Sequence, residues 1–264
     1  MLPEITSPQN PRIKQAIRLR ESRGRNTQGR TLIDGYRELQ LALTVGVNIV
    51  ECFVCQDCPT LDDLLADPQL SGKRVLVPGP VMDKLAYGQR TTGMVAVAET
   101  KSGALSDLPP IGGNDVVLVL DALEKPGNIG AVLRTADAAG AHSVILSEPL
   151  CEFGNPNVIR ASQGTVFTVP TAQGSRAEVE AWLQKQQLRI LPARVDGEDV
   201  FPAADLSGQI ALVLGNEAQG LGGAWSSYEA IRIPMQGKID SLNVSISAAV
   251  LLFEALRQRM GPIS

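Results

Sequence analysis

Three short segments hold the side chains whose types and spacing could do chemistry. PGNIGAVLRTADAAG (126–140) carries Asn128 and Arg134 behind a Pro126-Gly127 pair. LGNEAQGLGG (214–223) places Glu217 in a glycine-rich loop, where backbone groups are free to approach a ligand. IPMQGKIDSLNVSISAA (233–249) sets Ser241 and Asn243 just ahead of an apolar helix. Each has a plainer reading beside it: Asn128, Ser241 and Asn243 suit helix caps, Arg134 suits a helix surface, and Glu217 suits a solvated turn. Dinucleotide chemistry is a poor fit, because no G-x-G-x-x-G follows the strand. No Gly-Lys-Ser/Thr closes a phosphate loop either. Cys52, Cys55 and Cys58 have a spacing that could hold metal. They fall on a stretch that reads as a buried strand, however, and no fourth ligand is near, since Cys151 and the single histidine, His142, lie far along the chain. Buried thiols acting as small hydrophobes are the expectation, with no metal.

Each segment needs an element to present it. VVLVLD (116–121), SVILS (143–147), LRILP (188–192), IALVL (210–214) and IRIP (231–234) are apolar runs of the kind that form parallel strands covered on both faces. Helical patterns over 128–139, 177–187 and 243–260 alternate with them. This predicts a doubly wound parallel α/β sheet, whose ligands bind beyond the carboxyl ends of the strands. The three segments fall at such ends.

Pro109-Pro110 and Gly112-Gly113 punctuate the chain ahead of this block. They predict a first domain over 1–105, a linker over 106–113 and a second domain over 114–264. The first block reads as a helix from SPQNPRIKQAIRLR, a polar Arg/Gly stretch, a strand at TLIDG, a helix over 37–45 and a strand over 47–55. A short helix (61–65), a strand (74–78), a helix at PVMDKLA and a strand over 93–99 complete it. This is a small α/β unit without a catalytic constellation. The net charge is −4, an unusual balance for a nucleic-acid binder. Locally, though, Arg12, Lys14, Arg18, Arg20 and Arg23 outnumber the acids Glu4 and Glu21. Such a patch can draw in phosphate, or form a solvated helix face. No apolar run approaches the roughly 18–20 residues that span a bilayer, and the start lacks a secretory pattern. A cytoplasmic protein with no membrane partner is expected.

Taken in order and at these strand ends, the three segments resemble the signature motifs of the SpoU (TrmH-type) family of RNA ribose 2′-O-methyltransferases, part of the SPOUT superfamily. RASQGTVFTVP (160–170) is similar to a segment that the family places between its first and second motifs. SPQNPRIKQAIRLR, TLIDGYRELQLAL and GMVAVAE resemble the family's N-terminal RNA substrate-binding domain. The resemblance implies an α/β trefoil-knot domain behind a smaller ribosomal-protein-like α/β domain. It implies S-adenosyl-L-methionine as cofactor and ribosomal RNA as the favoured partner, with transfer RNA or a catalytically silent RNA-binding module as alternatives. It implies a homodimer through the knotted domain. Asn128, Arg134, Glu217, Ser241 and Asn243 match the catalytic positions, and Gly215, Asn216, Ile233, Met235 and Leu242 the cofactor positions. Arg134 would work beside the partner subunit's cofactor. Arg12, Lys14, Arg18, Arg20 and Arg23 would meet RNA. One departure from the pattern is Lys125, where Asp or Asn is common before Pro-Gly.

Overall fold

The computed structural model describes residues 2–86, 92–100, 103–216 and 220–260. It divides into two compact units. The first comprises Met1–Lys101 and Phe153–Thr168. Its helix α1 (Pro11–Arg18) starts where the Asn10 side chain accepts the Arg12 N–H, and it buries Ile13 and Ala16. The stretch read as polar coil contains a second helix, α2 (Ser22–Gln28). No apolar periodicity announces α2, because a buried arginine anchors it. Arg25 donates to the carbonyls of Leu19 at 2.9 Å and Arg20 at 2.8 Å, at the end of α1. These are carbonyls that a helix terminus otherwise leaves unsatisfied.

Then follow β1 (Arg30–Ile33), α3 (Tyr36–Thr44), β2 (Ile49–Val54), α4 (Leu61–Ala66), β3 (Arg74–Leu76), α5 (Gly79–Leu85) and β4 (Met94–Glu99). The sheet order is β1-β4-β2-β3. β4 runs antiparallel to both neighbours, and β3 is parallel to β2. Ile13, Leu19, Leu32, Phe53 and Leu85 meet in its core. Cys52, Cys55 and Cys58 are free and buried. Burial pushes the Cys52 thiol up to about 12, so it is neutral and fills space. Among the described residues, no group of three His, Cys, Asp or Glu could hold a metal ion.

The second unit, Ser102–Glu152 with Val169–Ser264, is the expected parallel sheet. It begins with β5 (Val116–Asp121), α6 (Pro126–Ala139) and β6 (Ser143–Ser147). The chain then leaves for Phe153–Thr168, with α7 (Pro156–Ala161), which groups with the first unit. There the Thr31 hydroxyl donates to the Gly154 carbonyl at 2.6 Å. Arg160 pairs at 2.9 Å with the buried carboxylate of Asp34, which also accepts from the Thr92 hydroxyl. The chain returns for β7 (Thr171–Gly174), α8 (Arg176–Lys185), β8 (Arg189–Pro192), β9 (Asp199–Val200), β10 (Ile210–Leu214), β11 (Ile231–Arg232) and α9 (Val244–Met260).

The sheet order is β7-β6-β5-β10-β8, every pair parallel. All residues of β5, β6 and β10 are buried, as two-sided coverage by helices demands. IRIP departs from its expected place. Its β11 buries Ile231 but exposes Arg232, and it pairs with β9 outside the main sheet. A two-residue run with one wet side chain cannot replace a five-residue strand buried on both faces. The Pro/Gly stretch expected as a linker is docked: Leu105, Leu108 and Ile111 pack against the core of the second unit. Among the described residues, no helix is long and apolar enough to cross a membrane.

Candidate active site

Because β5, β6, β8 and β10 are parallel, their carboxyl ends share one edge, the usual ligand edge of such sheets. A cavity of about 460 Å³ opens there, bordered by the turns after β8 and β10 and by the chain leading into α9. Gly215, Asn216, Ile233, Met235 and Leu242 all line it, as does Ser241. The family resemblance grouped the first five of these as cofactor positions, although they are spread over 28 positions of chain.

The turn after β10 depends on bare backbone. The Gly220 N–H donates to the Asn216 carbonyl at 2.9 Å, and Gly220 has φ +60°. A Cβ on Gly215 would lie 2.3 Å from the Gly220 carbonyl carbon, so no side chain fits at 215. Glu217, in the same loop, lies outside the described residues. Behind the loop, Trp225 is buried with φ +61° and shares a core cluster with the cavity residue Leu221.

The α6 segment meets the α9 segment through their polar residues. α6 starts at Pro126, a favoured first-turn position for proline, so Asn128 sits inside the first turn and is not the cap. Its side-chain oxygen instead accepts from the Asn243 amide at 3.3 Å. The Asn243 oxygen in turn accepts the Ser245 N–H at 2.9 Å and so caps α9. Asn243 therefore serves as a cap and as a bridge at once. The Ser241 hydroxyl donates to Asp240 at 3.3 Å. Asn128, Arg134 and Asn243 are not among the cavity-lining residues. Arg134 is exposed on α6.

Two features were not visible in the sequence. Arg194 and Asp196, after β8, line the cavity and form a forked ion pair at 2.9 and 2.7 Å. Their one available signal was position, since they follow a strand end. The second feature is a buried network at the ends of β5 and β6. Asp121 accepts from the Ser147 hydroxyl at 2.5 Å and from both Nε and Nη2 of Arg176. It pins the start of the loop that delivers Asn128. Its partners are 26 and 55 positions away, which no local pattern encodes.

The cavity suits a cationic nucleoside of moderate size. Ligand pockets run roughly 300–1,000 Å³ and are mostly apolar with a few placed polar groups. Leu214, Leu221, Ile233, Met235 and Leu242 supply apolar wall, while Asp240 supplies negative charge beyond the Arg194–Asp196 pair. The residues present therefore fit a sulfonium-bearing nucleoside.

Both parts of the chain are similar to known proteins. Residues 115–253 match the SpoU rRNA Methylase family, and residues 10–96 match the MRM3-like substrate binding domain. The chain is 35% identical to the 23S rRNA (guanosine-2′-O-)-methyltransferase RlmB of Bordetella pertussis, over 76% of this chain and 85% of that protein. It resembles the crystal structure of an RNA 2′-O ribose methyltransferase with a TM-score of 0.85 and 39% identity, covering 97% of this chain and 99% of the other. The AdoMet-bound rRNA methyltransferase from Sinorhizobium meliloti gives a TM-score of 0.88 at 26% identity, covering 97% and 98%. With S-adenosylmethionine as its methyl donor and a parallel α/β sheet of the SPOUT kind, the chain belongs to the SpoU family of RNA 2′-O-methyltransferases.

Proposed function

We propose that the chain methylates a ribose 2′-hydroxyl of large-subunit ribosomal RNA as a homodimer, with the cavity beyond β8 and β10 as the cofactor's seat. The observation that carries this is the convergence of Gly215, Asn216, Ile233, Met235 and Leu242 on one cavity, with Asn243, next to Leu242, bonded to Asn128. Ribosomal RNA is favoured over transfer RNA by the substrate-binding domain match and by the 23S rRNA relative.

When bound, S-adenosylmethionine supplies an electrophilic methyl group on a sulfonium. The chain's own residues do the rest. Apolar walls exclude water from the cavity. Asn128, Ser241 and Asn243 orient the ribose, and Glu217 joins them by its motif position. Arginine stays protonated in proteins, so Arg134 acts as a donor and fixed charge, holding a phosphate or the developing alkoxide. Such alignment is worth roughly 7–11 kcal/mol of barrier.

The basic side chains of the first unit divide by what they already hold. Arg12 is paired with Glu51, and Arg20 donates to the carbonyls of Lys84 and Ala86. Lys14, Arg18 and Arg23 are exposed. Arg18 and Arg23 line, with Arg30, a groove of about 660 Å³ whose described lining contains one acid, Glu21. Phosphate contact is therefore assigned chiefly to Lys14, Arg18, Arg23 and Arg30, and Arg12 and Arg20 to holding the unit together. Dimerisation is supported by α9. Ile246, Phe253 and Met260 recur every seven residues, and they are 51%, 49% and 65% exposed. That spacing aligns them on one helix face. Arg134, lying outside its own cavity lining, suits a role beside the partner's cofactor.

The test is transfer of labelled methyl from S-adenosylmethionine to ribosomal and transfer RNA, followed by mapping of the modified nucleotide. A 2′-O-methyl on 23S rRNA is expected. Preferential labelling of transfer RNA would replace the substrate. Binding of cofactor without transfer to either RNA would favour a silent RNA-binding module.

A further inference from the structure

Resting on the cavity as the cofactor's seat, we propose that Arg194 and Asp196 recognise the amino-acid end of S-adenosylmethionine, Arg194 taking its carboxylate and Asp196 its ammonium. The cofactor is a nucleoside joined to a zwitterion, and the two ends ask for different surroundings. Leucine, isoleucine and methionine side chains can cover a base. They cannot take a carboxylate, which needs a cation or several N–H donors once water is displaced. Among the described lining residues, Arg194 is the one cationic side chain.

The ion pair is built so that it can be shared. Arg194 uses Nε and Nη2 on Asp196, which leaves the other edge of the guanidinium fork for a second carboxylate. Asp196 accepts one N–H at each oxygen and keeps lone pairs for an ammonium group. Its side chain is 64% exposed and that of Arg194 is 23% exposed, so one partner is held and the other open. The backbone braces the pair. The Arg194 N–H donates to the Ile231 carbonyl at 2.9 Å, and the Gly197 N–H returns to the Arg194 carbonyl at 3.3 Å. A Cβ on Gly197 would meet the Ala230 carbonyl oxygen at 2.8 Å, so the bare glycine lets that turn pack directly against the 230–231 backbone. A neutral, preorganised pair of opposite charges complements a zwitterion.

The experiment uses the full-length chain and calorimetric titration with three probes. S-adenosylmethionine carries carboxylate, ammonium and sulfonium, decarboxylated S-adenosylmethionine the last two and 5′-methylthioadenosine none, with S-adenosylhomocysteine as the control that has the zwitterion without the sulfonium. Wild-type protein should prefer S-adenosylmethionine over the decarboxylated form by about tenfold, the size of one charge-assisted hydrogen bond. Arg194→Gln should bring that ratio to within about twofold, by weakening S-adenosylmethionine alone. Asp196→Asn should weaken both ammonium-bearing probes, weaken S-adenosylhomocysteine to the same degree, and leave methylthioadenosine unchanged. Methylthioadenosine weakened in step with the others would mean that the pair shapes the nucleoside pocket, and the inference fails. It fails equally if the wild-type ratio survives Arg194→Gln. A wild-type chain that binds none of the three overturns the cavity as the cofactor's seat as well, whereas an indiscriminate cavity overturns only this assignment.

Discussion

Arg134 and Gly215 are proposed to act in opposite ways, one through a charge and the other through the lack of a side chain. Arg134 stands outside the cavity lining. Its replacement by alanine should therefore leave the affinity for S-adenosylmethionine unchanged. Methyl transfer should fall by about 100-fold or more, the usual loss when a transition-state donor is removed. Titration and single-turnover transfer measure the two separately, and turnover within a few-fold of wild type would remove Arg134 from the mechanism. Gly215→Ala should do the reverse. The added methyl would sit 2.3 Å from the Gly220 carbonyl carbon. The loop must open, and cofactor affinity should drop by at least about tenfold while the far side of the sheet stays folded. Unchanged affinity in that variant would show that the loop can relax and that the turn does not shape the seat.

At the scale of elements, α2 is held by Arg25, whose guanidinium caps the end of α1. Removing one partner of a buried charged hydrogen bond costs about 1.5–3 kcal/mol or more. Arg25→Ala should accordingly lower the midpoint of thermal unfolding by several degrees. Arg23→Ala, on the exposed side of the same helix, should leave the midpoint unchanged, weaken RNA binding and flatten its salt dependence. Equal thermal losses in the two variants would cancel the division between structural and RNA-facing arginines. α9 is secured differently. Val244, Ala248, Leu251, Leu252 and Ala255 are buried, and each buried leucine is worth roughly 1.5–3 kcal/mol. Its opposite stripe stays open.

For the whole molecule, the proposed dimer rests on that open stripe. Phe253→Glu puts a charge in the middle of Ile246, Phe253 and Met260. It should convert a dimer to a monomer in sedimentation experiments, with transfer lost if Arg134 works across the interface. A wild-type monomer would exclude the shared site. Substitutions probe the first unit more cleanly than deletion does. Removing residues 1–105 would strip Phe153–Thr168 of the Asp34 and Thr31 groups that hold Arg160 and Gly154.

Most strands and helices and the parallel sheet could be read from the sequence, because apolar runs and glycine turns are local signals of burial and close approach. The cavity residues, by contrast, came from the family resemblance of their motifs. The pairings of Asn243 with Asn128, Arg176 with Asp121, Arg194 with the cavity and Arg160 with Asp34 needed the tertiary structure. So did the place of β11 beside β9 and the existence of α2. A polar side chain finds its partner through space, at distances along the chain such as 115 residues for Asn128 and Asn243. Only the folded backbone brings such groups within hydrogen-bonding reach.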